Sequence, residues 1–319
     1  FVCALLNSQP MGFYAPSQLI SEAKRNGVNV RPIDVNFSDW DHRLESDPDN
    51  KKGYYALRLG LRLVKGLSID QGKRIVTYQT SESLKRNGKD RLAFLSPDDV
   101  MQKAGVSIKS LQMIANADGF SSLNIDRRQA LWAVQVLKQH RMHDMPLFSH
   151  AIRQNKKICL NEPIIKLPEA SLGEQVTEDY RSLGLSLKAH PLDVLKNSLM
   201  SVGWEACSHV KNAPNRKRLR IAGLVTMRQQ PKTANGTVFI TIEDGQDNVN
   251  LIIWPKLTKV YRNVLLHARV MGIIGRVQRQ QSVVHIIAES LFNLNRFLCH
   301  IDGSTETQPN IGTKYKDFR

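Results

Sequence analysis

The sequence predicts a multidomain α+β fold: a short α/β region first, a helical unit in the middle, and a five-stranded β-barrel last. Three observations support this. Apolar residues recur at helical spacing through residues 55–140, the periodicity changes to two from Arg216 onward, and 319 residues exceed one ordinary domain. An apolar fraction of 41% is enough for a core in each unit.

Residues 1–55 are the α/β region. They open on an apolar run that lacks a charged leader and an initiating Met, so it reads as a cut point, and the true N-terminus is expected upstream. Pro16 starts a helix that Gly27 ends, with Pro at the first helical position and Gly just past the last. Val28, Val30, Ile33 and Val35 alternate imperfectly around Pro32, which predicts an edge strand. Residues 34–50, crowded with Asp, Asn and Ser, read as a loop. Asp34, Asp39, Asp41, Asp47 and Asp49 are dense enough there to suggest a metal, but such a loop is more commonly just solvated.

Residues 56–140 form the helical unit and contain an internal repeat. Val64-Lys65-Gly66-Leu67-Ser68-Ile69 recurs as Lys103-Ala104-Gly105-Val106-Ser107-Ile108, each followed by a helical pattern. Paired helix-hairpin-helix units account for it. Gly66 and Gly105 allow the tight turn, Leu67 and Val106 plug the space between helices, and Ser68 and Ser107 cap the helix that follows. Amides at that helix start, together with Lys65, can hold a DNA phosphate. Two ordinary helix-turn-helix corners are the plainer alternative.

Residues 141–170 read as a linker holding the apolar peptide Asp144-Met145-Pro146-Leu147-Phe148, and residues 171–210 as a helical connector restarted at His190-Pro191. From there to residue 295 the pattern is strand-like. Leu219, Ile221, Val225 and Met227 alternate with Arg218, Arg220 and Arg228; Val238, Ile240 and Ile242 alternate with Phe239 and Thr241; Val249, Leu251 and Ile253 precede Trp254. Pro255 opens a short helix, and strands over 268–276 and 283–288 follow. Three strands, a helix and two strands is the order of an OB-fold barrel, here 211–295, with a tail over 296–319.

Lys and Arg outnumber Asp and Glu by 45 to 29, a net charge of +16 that suits a polyanionic partner. Residues 207–288 alone hold thirteen Lys or Arg against Glu243, Asp244 and Asp247. Strand parity turns Arg218, Arg220, Arg228, Phe239 and Trp254 outward, giving cations for phosphates and rings for bases, with Arg276 and Arg279 as further cations. Solvated arginines and a rim aromatic are the plainer reading. No apolar run approaches the roughly 18 residues a membrane span needs. Cys3, Cys159, Cys207 and Cys299 form no CxxC pair, which argues against zinc and a disulfide scaffold and fits a reducing, cytoplasmic compartment. His140 and His143 could share a helical face but lack a third ligand. No clustered carboxylates, phosphate-binding glycine loop or nucleophile motif gives a legible catalytic or metal site.

The residues Phe1-Val2-Cys3-Ala4-Leu5-Leu6-Asn7-Ser8-Gln9-Pro10-Met11-Gly12-Phe13-Tyr14 resemble the end of the fingers of bacterial C-family DNA polymerases. So do Gly27-Val28-Asn29-Val30-Arg31-Pro32-Ile33-Asp34-Val35-Asn36. Arg58-Leu59-Gly60-Leu61-Arg62-Leu63-Val64-Lys65-Gly66-Leu67 is similar to that family's entry into its hairpin unit, and Ser182-Leu183-Gly184-Leu185-Ser186-Leu187-Lys188-Ala189-His190-Pro191 to the segment before its OB domain. The resemblance covers about residues 1–295. Its error-prone, translesion branch fits better than the replicative one, whose further clamp-loader-binding domain has no room before Arg319.

The resemblance implies palm aspartates and a PHP domain upstream of Phe1, so no catalytic residue is carried over. It implies magnesium and deoxynucleotides for the intact enzyme, and primer-template DNA, single-stranded template, a sliding clamp and mutagenesis accessory proteins as partners. Asp144 to Phe148 is similar to the clamp-binding peptide, with Asp144 where Gln is usual; a hydrophobic staple is the alternative. An NAD-dependent DNA ligase would place the barrel first and add a four-cysteine zinc finger. A non-catalytic binding module, such as an anticodon-binding barrel, predicts no fingers-like opening.

Overall fold

The structure, a computed structural model, describes residues 1–11, 14–48, 55–85, 92–142, 168–280 and 283–300. Asp144 to Phe148, Cys159 and His143 lie outside them, as do the side chains of His140 and Cys299. The chain divides into two compact units, residues 1–9 with 22–170, and residues 10–21 with 171–319.

The first unit begins with helix α1 (Val2–Asn7), held in place through polar groups. The Asn7 carboxamide donates to the carbonyl of His42 at 2.9 Å and accepts its N–H at 2.8 Å, while Arg62 donates to the carbonyls of Asn7 and Gln9. Helix α2 (Pro16–Arg25) starts at Pro16 as expected, and Gly27 beyond it has φ +83. The expected edge strand is only β1 (Val30–Arg31), because Pro32 has no N–H to continue a ladder. Two further strands correct the sequence reading: β2 (Arg43–Glu45) in the stretch read as loop, and β3 (Ala56–Arg58) where helix was expected.

β3 is the central strand, parallel to β1 and antiparallel to β2. The three strands are tied by charge as well as by the ladder, since Glu45 accepts from Arg31, Arg43 and Arg58. Those arginines hold its carboxyl down at about 2, against the opposing effect of burial. Asp34 is the other polar hub. It is buried, and its carboxylate accepts from the N–H of Asn36 and Ser122 and the hydroxyl of Ser121.

Helices α3 (Ile69–Lys85), α4 (Pro97–Ala104), α5 (Ile108–Asn116) and α6 (Arg127–Met142) complete this unit. Ile75, Phe94, Val100, Leu111, Ile114 and Ala130 are buried within it.

In the second unit β4 (Arg218–Gln229), β5 (Val238–Glu243), β6 (Asn248–Ile253), β7 (Val270–Gln280) and β8 (Val283–Asn293) close a barrel in the order β4-β5-β6-β8-β7. The pair β6–β8 is parallel and the rest are antiparallel. Leu219, Ile221, Val225, Ile240, Ile242, Leu251, Ile253, Ile273 and Ile286 fill the interior. Helices α10 (Pro255–Val260) and α11 (Arg262–His267) lie between β6 and β7, two short pieces where one helix was expected.

The middle of β4 is buried on both faces. Ala222 and Leu224 point away from the interior and pack with Val270 against α7 (Leu172–Ser182), α8 (Pro191–Ser201), Trp204 and Phe297. A short helix, α9 (Ser208–Asn212), precedes β4. The expected parity fails in its second half, because a bulge between Val225 and Met227 adds a residue. Arg228 therefore stands opposite the core residue Ile240, and Met227 opposite outward Thr241. Arg228 is half-buried and donates to the carbonyl of Ala268, so it is not the outward cation the sequence suggested.

Candidate nucleic-acid interface

Each copy of the repeat folds into a turn followed by a helix. Gly66 has φ +84 and Gly105 φ +63, a left-handed conformation costly for residues with a Cβ. Leu67 and Val106 are buried beneath the turns, while Lys65, Ser68 and Ser107 lie at the surface. Ser107 caps α5 by accepting the N–H of Ser110 at 3.2 Å; Ser68 stands 3.4 Å from the N–H of Gln71.

The two copies interlock. Arg74 donates to the carbonyl of Gly105 at 3.0 Å, and Gln71 accepts the N–H of Ser107 at 2.7 Å and the hydroxyl of Ser110 at 3.2 Å. Met113, which holds in the second copy the place of Arg74 in the first, reaches back to Gly66, where an added Cβ would lie 2.9 Å from its Cε. A cleft of about 530 Å³ lined by Lys73, Arg74, Tyr78 and Lys103 runs beside this junction. The sequence motif exposed the turns but not Gln71, Arg74 and Met113. Their signal was the repeat offset, which sets Arg74 opposite Met113.

On the barrel the expected residues separate onto two surfaces. Phe239 pairs across the ladder with Ile252, and Thr241 with Asn250, whose side chains hydrogen bond at 2.9 Å. Phe239 is 37% exposed and Trp254, just past β6, 50% exposed, so both rings remain open to stacking. The other surface lies at the start of β4 and the end of β7. Arg218 and Arg276 are register partners there, and both bind Glu289. Arg220 lies over the ring of Trp204, 4.2 Å from its centroid, and Arg279 donates to the carbonyls of Lys211 and Ala213. From Arg218 to Gln229, the residue opposite Phe239, β4 covers about 36 Å of extended chain, so cations and rings occupy different ends of the strand.

Among the described residues no helix is long and apolar enough to cross a membrane, and no group of three or more metal-ligating side chains occurs. Asp49 lies outside the described residues, and the four other loop aspartates do not fit a magnesium site. Asp34 is matched to N–H and O–H donors, Asp39 to Arg43, Asp41 to Arg62, and Asp47 to Arg31 and Asn29.

Comparison with known families agrees with both halves of this geometry. Residues 27–130 match the helix-hairpin-helix motif and residues 219–294 the OB-fold nucleic acid binding domain. Error-prone DNA polymerase 2 of Rhizobium meliloti (strain 1021) is 41% identical over 321 residues, covering 99% of this chain and 28% of the relative. The error-prone DNA polymerase of Brucella abortus biovar 1 (strain 9-941) is 41% identical over 310 residues, covering 95% of this chain and 26% of the relative. The chain is homologous to the C-terminal part of error-prone DNA polymerases. It spans about a quarter of the length of these relatives. Among solved structures, asparaginyl-tRNA synthetase from Pyrococcus horikoshii matches 29% of this chain and 23% of its own, at 18% identity and a TM-score of 0.26, too little to add to the fold described.

Proposed function

We propose that this chain is the DNA-holding part of an error-prone DNA polymerase that works in damage-induced mutagenesis and translesion synthesis. The observation that carries the reading is the alignment of 99% of the chain with a polymerase of that class. In this reading the hairpin turns around Gly66 and Gly105, with Lys65, take duplex backbone without reading sequence. The rings of Phe239 and Trp254 take unstacked bases of single-stranded template, with the outward barrel arginines, among them Arg218 and Arg220 but not Arg228, on phosphates. Bond formation, with its magnesium and deoxynucleotides, belongs to the remaining part of the intact polymerase. Asp144 to Phe148 serves as a clamp-docking peptide, a proposal that rests on sequence similarity alone: Met145, Leu147 and Phe148 enter an apolar groove and Pro146 limits the entropy lost on docking.

The purified chain is expected to bind primer-template and single-stranded DNA, with affinity falling steeply as salt rises, and to incorporate no nucleotide. Measurable primer extension by the chain alone, or no DNA binding at low salt, would overturn this assignment. For the peptide, Leu147→Ala with Phe148→Ala is expected to abolish clamp binding at unchanged melting temperature. A large drop in melting temperature would instead identify a structural staple.

A further inference from the structure

On the outer wall of the barrel, Arg218 of β4 and Arg276 of β7 stand directly opposite each other in register. Two like charges at such a pair repel and destabilise the ladder unless an anion sits between them. Glu289 supplies one. Its Oε2 accepts from Nε of Arg218 at 2.8 Å and its Oε1 from Nε of Arg276 at 2.7 Å. Both bonds use only the inner edge of each guanidinium. Among the described residues the terminal amino groups of both arginines take no partner, and the two side chains are 63% and 62% exposed.

The position of Glu289 has a backbone cause. The ladder between β7 and β8 pairs Ile274 with Ser290 and then Gly275 with Ala288, so Glu289 is the extra residue of a bulge. Bulges re-aim side chains. A Cβ on Gly275 would lie 2.4 Å from the carbonyl oxygen of Ile287, so the close approach at the bulge requires glycine. Arg216 and Lys217, both exposed, continue the positive surface beside this pair.

We infer that Arg218 and Arg276 form a clamp for a nucleic-acid phosphate, and that Glu289 is its positioning residue, holding the two guanidinium forks by their inner edges so that their outer edges converge on one anion. This rests on the nucleic-acid reading above and adds a contact removed from the stacking rings of Phe239 and Trp254. A phosphate oxygen pair suits two guanidinium edges, each able to donate a charge-assisted bond. Holding both long side chains in place before DNA arrives removes an ordering cost from binding.

The test turns on a sign. Glu289→Ala raises the net charge by one, so a clamp governed only by charge would bind DNA more tightly. A positioned clamp binds more weakly, on the order of fivefold, from the ordering cost of two long side chains. Binding of the chain to a fluorescein-labelled primer-template would be measured by anisotropy at one fixed salt concentration, with circular dichroism melts as the check on folding. Glu289→Gln, whose carboxamide keeps one acceptor oxygen and so can hold only one of the two guanidinium groups, is expected to restore only part of the affinity. Added to Arg218→Ala with Arg276→Ala, Glu289→Ala is expected to cause no further loss, and only the slight gain that removal of a negative charge brings. Equal or tighter binding by Glu289→Ala, or the same loss in the arginine-free background, overturns the clamp while leaving the nucleic-acid reading in place. Absence of binding by the unaltered chain overturns both.

Discussion

Gln71 accepts the backbone N–H of Ser107 at 2.7 Å, closing the loop of the second hairpin with a side chain from the first. Replacing it by Ala leaves that amide to water and the buried Ser110 hydroxyl with the Ser107 hydroxyl as its remaining partner. Gln71→Ala is expected to cost about 1 kcal/mol, the net worth of an ordinary hydrogen bond, and to lower the melting temperature by a few degrees. Gln71→Glu keeps the acceptor and should lose less. Equal melting temperatures for the Ala variant and the parent would show that the contact carries no stability.

Valine at either hairpin glycine forces a β-branched residue into left-handed backbone. Gly66→Val and Gly105→Val are each expected to cost about 1–2 kcal/mol, and Gly66→Val also meets Met113. Duplex affinity should fall for both. Single-strand affinity, assigned to the barrel, should stay put. A binding titration with the two DNA forms on the same variants checks this, and unchanged duplex affinity with the fold intact would remove the hairpins from the interface.

His42 makes stability depend on pH. Burial and the nearby Arg62 push its imidazole down to about 4, and its Nδ1 accepts the N–H of Gly60 at 3.0 Å. The unfolded chain, titrating near 6.5, binds the extra proton first. The contribution is therefore complete above about pH 6.5 and is lost as pH falls towards 4, by up to ~3 kcal/mol. Glu45 acts at lower pH. Its folded-state pKa of about 2 lies below the ordinary value, so its share is present above the usual carboxylate range and disappears as pH falls towards 2. Urea melts between pH 7.5 and 4.5 should report a declining midpoint, and a flat profile would argue against a buried neutral His42.

Phe239→Ala and Trp254→Ala remove the two exposed rings at the far end of β4. Each is expected to weaken single-strand binding by about 1–3 kcal/mol while leaving the melting temperature close to that of the parent. Affinity within twofold of the parent would assign the ring to packing.

The barrel was legible because its inward positions alternate over three successive strands and its turns carry Pro, Gly and Asp. What parity could not reveal is where a strand gains a residue. The bulge after Val225 turned Arg228 towards the core side, and the bulge at Glu289 brought an acid between two arginines. The small sheet of the first unit was harder to read, since β2 is held by three arginines on Glu45 rather than by apolar alternation. At the hairpins the turns were visible as a repeated motif. Their reciprocal contacts were not, because Gln71, Arg74 and Met113 share no residue type.

The exchange between the repeats also limits how the molecule can be taken apart. A cut anywhere between Lys85 and Pro97 would divide the repeats at their natural sequence boundary. It would leave the second loop without Gln71 and Arg74 and the first without Met113 over Gly66. Neither half would carry a finished turn. The smallest transferable piece is the pair, so grafting this grip onto another scaffold means moving both copies together.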